Sequence, residues 1–391
     1  MLRLVTLLLC WGAVVFAQDD PATLRERAAA LVSMGKYAEA EPLLAQVITL
    51  REKQSGPDDA SLVSPIGELA AVYRAEGRNA DAEKLYLRSL ALQVKAAGAE
   101  SIEIIPDLKL LAKLYVTMGR IPDAEKQYLR VISIRINTKG TGDPDLAKDC
   151  VELAAFYISQ KRFAVAEPNL RRAIEIMQKK LGPEDPSLVP VLDSLATVFI
   201  EQKNYPPAEA PLQRAVSIME RALGPSHADV APRLDRLAML YYLSKRYADA
   251  EPLFRRSLAI WEAALGPDDA GLATTIDNLA VVLASQEKFD EAEPLYRRSL
   301  ALREKSVIAS LNNLAMVLEG QGQDTAAERQ LKLAMTLQDR IPMVPGSPTE
   351  SDIGLLANTL QNYAAVLRKL KRFAEAKKLE DRVKALPKPD K

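Results

Sequence analysis

The stretch Ala231–Ala270 reads "APRLDRLAMLYYLSKRYADAEPLFRRSLAIWEAALGPDDA". It contains two helical patterns. Leu234, Leu237, Ala238 and Tyr241 fall three and four residues apart and form one apolar helical face. The turn "SKRY" follows. Ala250, Leu253, Phe254, Ser257, Leu258 and Trp261 then carry the same spacing onward. Gly266 closes the second helix, and Pro267 behind it cannot extend one. The stretch therefore predicts a helix pair followed by a short connector.

Working outward, the same unit recurs along the chain. Glu41, Glu83, Glu125, Glu167, Glu209, Glu251 and Glu293 each follow an alanine at intervals of 42. Gly56, Gly98, Gly140, Gly182, Gly224 and Gly266 keep that step. Small residues also keep it: Ala70, Ala112, Ala154, Ala196, Ala238 and Ala280 on the first helix, and Ala82 to Ala292 on the second. Alanine at such places lets two helices cross closely, and a larger side chain would cost ~1–3 kcal/mol in overpacking. A fixed period of this length marks stacked supersecondary units.

The "LA" pair, the aromatic at Tyr73, Tyr115, Tyr157, Phe199 and Tyr241, the "AEP" segment and the "LGP" turn resemble the tetratricopeptide repeat. The resemblance is strongest to the 42-residue kind of kinesin light chain and its bacterial relatives, and it covers roughly residues 21 to 386. It implies an all-α, right-handed superhelical solenoid of about nine helix pairs, spanning 18–386. The first pair, from about Pro21 to Lys53, is degenerate, with Arg27 where later copies have leucine. Irregular copies occupy about 306–386. There the Ala-Glu step is 35 from Glu293 to Glu328, then 49 to Lys377, which together restore two full periods. One copy has thus lost a seven-residue connector, and the next has gained seven residues in a proline-rich loop, 341–352. A polar tail, 387–391, ends the chain.

Little points to chemistry. Lysine plus arginine equals aspartate plus glutamate, 52 each, so no basic excess draws nucleic acid or an anionic membrane. His227 is the one histidine, in a turn, and no cluster of metal-ligand spacing surrounds it. No glycine-rich phosphate loop is present. The expectation is a non-enzyme without cofactor, metal or catalytic residues. Residues 1–17, "MLRLVTLLLCWGAVVFA", read as a cleaved signal peptide, too short for a comfortable membrane span. The expected compartment is therefore periplasmic or extracellular, without membrane contact after cleavage. An uncleaved N-terminal anchor is the alternative. Cys150 takes a first-helix apolar place and reads as a buried core residue.

Two residue sets remain. Arg88, Arg130, Arg172, Arg214, Arg256 and Arg298 also step by 42. The first copy has the periodic glutamate without the arginine, since Gln46 stands there. The last copy has Arg382 without the glutamate, which becomes Lys377. This end pattern predicts a ladder between copies: Glu41 to Arg88, Glu83 to Arg130, Glu125 to Arg172, Glu167 to Arg214, Glu209 to Arg256 and Glu251 to Arg298. An exposed rung is worth ~0–1 kcal/mol, so its value lies in register. The second set precedes each "LA" pair. In kinesin light chain relatives these two residues face the concave groove and are often asparagines, which hold an extended peptide backbone by donating and accepting at once. Here they are Asn312-Asn313, with partial matches at Asp277-Asn278 and Gln361-Asn362. Asp193, Asp235 and Asp277 add an acidic row favouring a ligand with lysine, arginine or a free amine. The expected function is a protein-interaction scaffold that binds a peptide or protein segment in its groove. The alternative is an envelope assembly component acting through self-stacking or end contacts.

Overall fold

The structure, a computed structural model, describes residues 20–340 and 350–386. The expected leader, most of the 341–352 loop and the 387–391 tail lie outside those residues. The described residues form 17 α-helices with no strand among them, in two compact units that divide between Pro183 and Glu184.

The first unit holds α1 (Pro21–Ser33), α2 (Tyr37–Ser55), α3 (Val63–Ala75), α4 (Asn79–Ala97), α5 (Ile105–Thr117), α6 (Ile121–Lys139), α7 (Pro144–Ser159) and α8 (Phe163–Leu181). The second holds α9 (Val189–Glu201), α10 (Pro206–Leu223), α11 (Ala231–Leu243), α12 (Tyr247–Leu265), α13 (Ala273–Ser285), α14 (Phe289–Gly320), α15 (Asp324–Gln338), α16 (Glu350–Lys369) and α17 (Phe373–Lys384). Within each unit every helix packs on its neighbour in chain order. The core is a ribbon along these contacts, as expected of stacked repeats.

The alanines of the period are buried, which permits the close crossing within each pair. Gly266 ends α12 at φ 89° and donates its N–H to the Glu262 carbonyl, a conformation that suits glycine. Short 3-10 turns such as Ala228–Val230 and Ala270–Leu272 then lead into the next first helix. The residue before each turn caps it with its side chain: Asp59, Ser101, Asp185 and Asp269 accept from the backbone two residues on. His227 fills that same place, and its Nδ1 accepts from the Asp229 N–H at 3.2 Å. The histidine is thus an exposed turn cap. Cys150 is fully buried, and burial pushes its thiol up to about 11.

One junction departs from the expected nine separate pairs. The missing connector leaves no turn between the second helix of the seventh copy and the first helix of the eighth. They run on as one 32-residue helix, α14. The join, "REKSVIAS" at 303–310, contains no glycine or proline, so nothing there breaks a helix.

Candidate interaction surface

The periodic glutamate does join neighbouring copies, but through other partners than the expected arginines. In both units its contact is the last residue of the turn in the following copy. Arg78 reaches Glu41 at 2.8 Å, Arg120 reaches Glu83 at 2.7 Å, Arg162 reaches Glu125 at 2.5 Å, and Arg246 reaches Glu209 at 2.7 Å. Lys288 reaches Glu251 at 2.7 Å. Each of these pairs is 37 residues apart, five short of a period. The first-helix tyrosine completes the clasp: Tyr73, Tyr157 and Tyr241 donate to Glu41, Glu125 and Glu209 at 3.0, 2.9 and 2.8 Å. The cations also stack on those rings, with Arg78 3.9 Å from the Tyr73 centroid and Arg246 4.3 Å from that of Tyr241.

The periodic arginine forms a second ladder. Arg88, Arg256 and Arg298 pair with Glu52, Glu220 and Glu262 at 2.5, 2.6 and 2.5 Å. Arg130, Arg256 and Arg298 donate to the carbonyls of Ala99, Pro225 and Pro267 at 2.9, 2.7 and 2.7 Å. The expected rungs between the glutamates and these arginines are therefore corrected. Successive second helices are thus joined by residues 36 or 37 apart, a stagger short of the period, whereas the expected rungs needed residues further apart than one period. Glu167 instead pairs along its own helix with Arg171 at 2.8 Å, while Arg172 lies on α8 and Arg214 on α10. The stagger survives the irregular end, where Arg372 meets Glu328 at 2.5 Å and Arg382 meets Asp339 at 3.4 Å. Glu251 shows what the clasp does electrostatically. Burial alone would raise its carboxyl, but hydrogen bonds from Lys288, Arg255 and Gln286 outweigh that and hold it at about 2.

The acidic row is occupied from within the protein. Asp193 lies 3.4 Å from Arg236 and 3.7 Å from Arg233. Asp235 accepts from Thr275 at 3.1 Å in a largely enclosed site. Burial raises both carboxyls above the ordinary range. Asp277 is bonded to Arg303 of α14. The three aspartates thus serve contacts between helices: arginines lie beside Asp193 and Asp277, whereas Asp235 meets a hydroxyl, and Oδ1 of both Asp193 and Asp235 is enclosed without a hydrogen-bond partner among the described residues.

The asparagine pairs separate in space. Asn312 is 3% exposed, and its Nδ2 donates to Thr359 Oγ1 at 2.8 Å, tying α14 to α16. Its partner Asn313 is exposed, Gln361 is exposed, and Asn278 and Asn362 are half-buried. Asn278, Asn313 and Asn362 occupy the same repeat position. The enclosed Nδ2 of Asn362 has no hydrogen-bond partner among the described residues. Asp277 and Asn312 thus bond to neighbouring helices while Gln361 is exposed, and Asn278, Asn313 and Asn362 form a row of amides that are partly or fully exposed. No group of His, Cys, Asp and Glu among the described residues is placed to hold a metal ion, and no described helix is long and apolar enough to cross a membrane.

A tetratricopeptide repeat model matches residues 62–137, 149–221 and 229–305, and a second one matches 22–61 and 307–340. The chain belongs to the tetratricopeptide repeat family. No match is found among curated proteins. Among solved structures, the chain is similar to a putative kinesin light chain from Podosopora anserina with nearly identical TPR-like repeats. The identity is 24% over 52% of this chain and 99% of that one, at a TM-score of 0.46. It is also similar to BtubC from P. vanneervenii, 20% identical over 72% of this chain and 91% of that one, TM-score 0.35. Aspartyl phosphate phosphatase F from Bacillus subtilis is 16% identical over 95% of this chain and 94% of that one, TM-score 0.46.

Proposed function

We propose that this tetratricopeptide repeat protein is a non-catalytic scaffold that holds an extended peptide or protein segment against the first helices of the second unit. The supporting observation is the amide row Asn278, Asn313 and Asn362. These side chains recur at one repeat position, Asn313 exposed and Asn278 and Asn362 half-buried, and Asn362 carries an enclosed donor without a partner among the described residues. An unmatched enclosed amide costs about 1–3 kcal/mol, which a peptide carbonyl would recover. Amides bind a backbone whatever its side chains, so the peptide need carry no particular charge. The test is capture by a photoreactive residue at Asn313, compared in the chain with Asn278→Ala and Asn362→Ala. Loss of capture in the double variant agrees with the reading, and unchanged capture refutes it.

The compartment belongs to the same proposal. The apolar segment before Gln18 is an export signal that is cleaved, which places the scaffold in the periplasm or outside the cell. N-terminal sequencing of the protein from a secreting bacterium should begin at Gln18, and an intact Met1 would oppose this.

A further inference from the structure

The continuous helix α14 opens a junction that is closed elsewhere in the second unit. Tyr296 and Leu300 on its first half are 41% and 58% exposed. Their counterparts one copy earlier, Phe254 and Leu258, are 7% exposed or less. On its second half Leu314 and Val317 are 46% and 58% exposed, whereas Leu279 and Val282 are buried. The two faces are the two sides of one repeat interface. In the regular copies the connector folds the next first helix back so that these positions are covered. In α14 that connector is absent, and both sides face outward.

The ends of the chain show how a face that nothing covers is built. In the last copy the Tyr296 and Leu300 positions hold Glu380 and Lys384. In the first copy the Leu314 and Val317 positions hold Arg27 and Ala30, both exposed. Terminal repeats need such polar outer faces for solubility. The α14 junction keeps the apolar residues of an interior interface instead. The clasp lapses there too: among the described residues Glu293 pairs along its own helix, with Arg297, and the turn place that holds Lys288 one copy earlier holds Gln323.

We infer that a second copy of this chain closes the junction by reciprocal exchange: the Tyr296–Leu300 face of one copy packs on the Leu314–Val317 face of its partner, and the reverse. The occupant follows from the interface that recurs between the regular copies. The surface complementary to the first face is the second face, and one chain carries both. Leu300 and Leu314 are 14 residues apart on one helix, roughly 21 Å along its axis, so they cannot meet within a chain while α14 is continuous. Two chains related by a two-fold axis satisfy both faces at once. A shortened hinge that cannot turn back is the known physical route to such exchange. The inference is independent of the peptide reading, which rests on other side chains.

Light scattering on the full chain should give twice the chain mass. Restoring the connector by inserting Gly-Pro-Asp-Asp-Ala-Gly-Leu, the sequence of 266–272, between Val307 and Ile308 should halve that mass, because each chain then closes its own junction. Mixing Leu300→Cys chains with Leu314→Cys chains, both carrying Cys10→Ser, should yield a disulfide-linked heterodimer, which needs no destabilising substitution. A monomeric parent chain overturns the inference. So does a dimer that persists after the insertion, an absence of the heterodimer crosslink, or a monomer whose Leu300 face is taken up by an added peptide.

Discussion

The turn between the two helices of each pair offers a quantitative test. Its central residue adopts a left-handed conformation, and glycine occupies it in the first copies: Gly35, Gly77 and Gly119 at φ 73°, 76° and 72°. Lysine takes the same place later, with Lys161, Lys203 and Lys245 at φ 55°, 55° and 58°. All three lysines are exposed, and among the described residues none of their side chains forms an ion pair or hydrogen bond. A left-handed residue with a Cβ costs roughly 1–2 kcal/mol, while glycine's extra freedom in the unfolded chain takes back roughly 0.5–1. Each Lys→Gly change should therefore add about 0.5–1 kcal/mol. The sites are 42 residues apart and share no partner, so the triple variant should gain about 1.5–3 kcal/mol. Urea unfolding followed by far-ultraviolet circular dichroism reads this as a higher midpoint at unchanged slope. The reverse change, Gly77→Lys, should lower the midpoint. A triple variant no more stable than the parent, or a neutral Gly77→Lys, would refute the argument.

Other expectations follow from the same contacts. Phe254→Ala removes a fully buried ring between helices and should cost about 3–5 kcal/mol in urea unfolding. The carboxyl of Glu251 is depressed in the folded chain to about 2 from an ordinary 4.5, so its contribution is present above that ordinary value and is lost as pH falls toward about 2. Glu251→Gln should flatten that acid limb of the stability profile, measured as urea midpoints across the window. In a Cys10→Ser chain, Cys150 should react with a thiol reagent only as fast as the surrounding helices open, since burial both covers it and holds its thiol up at about 11. Added denaturant below the unfolding transition should therefore raise the labelling rate.

Much of the fold was legible because a repeat states each local rule several times. The apolar spacing within Ala231–Ala270, the Gly266 cap and the buried alanines depend on residues near in sequence, and they hold in copy after copy. The family's peptide-facing pair was legible as a position, and less so as a surface. Asn312 reads like Asn313, yet one ties α14 to Thr359 and the other faces out. The aspartate row reads as open charge, yet Arg236 and Arg303 lie beside two of its members and Thr275 donates to the third. The uninterrupted "REKSVIAS" carried a signal for the fused helix: a lost connector with no helix breaker in its place.

By itself the sequence determined the 42-residue period, the helix pairs, their caps and the places where backbones come close. These follow from intrinsic helix formation and from an apolar stripe that any neighbour of the same kind can cover. The tertiary structure decided which side chains meet across copies. Glu41 finds Arg78 and not Arg88 because the turn that opens the next second helix, and not its middle, lies beside Glu41, a placement set by turn geometry and packing that no period discloses. It also decided that the shortened step at α14 bares both sides of a repeat interface. A missing turn changes where every later residue lies, while leaving the residue pattern in phase.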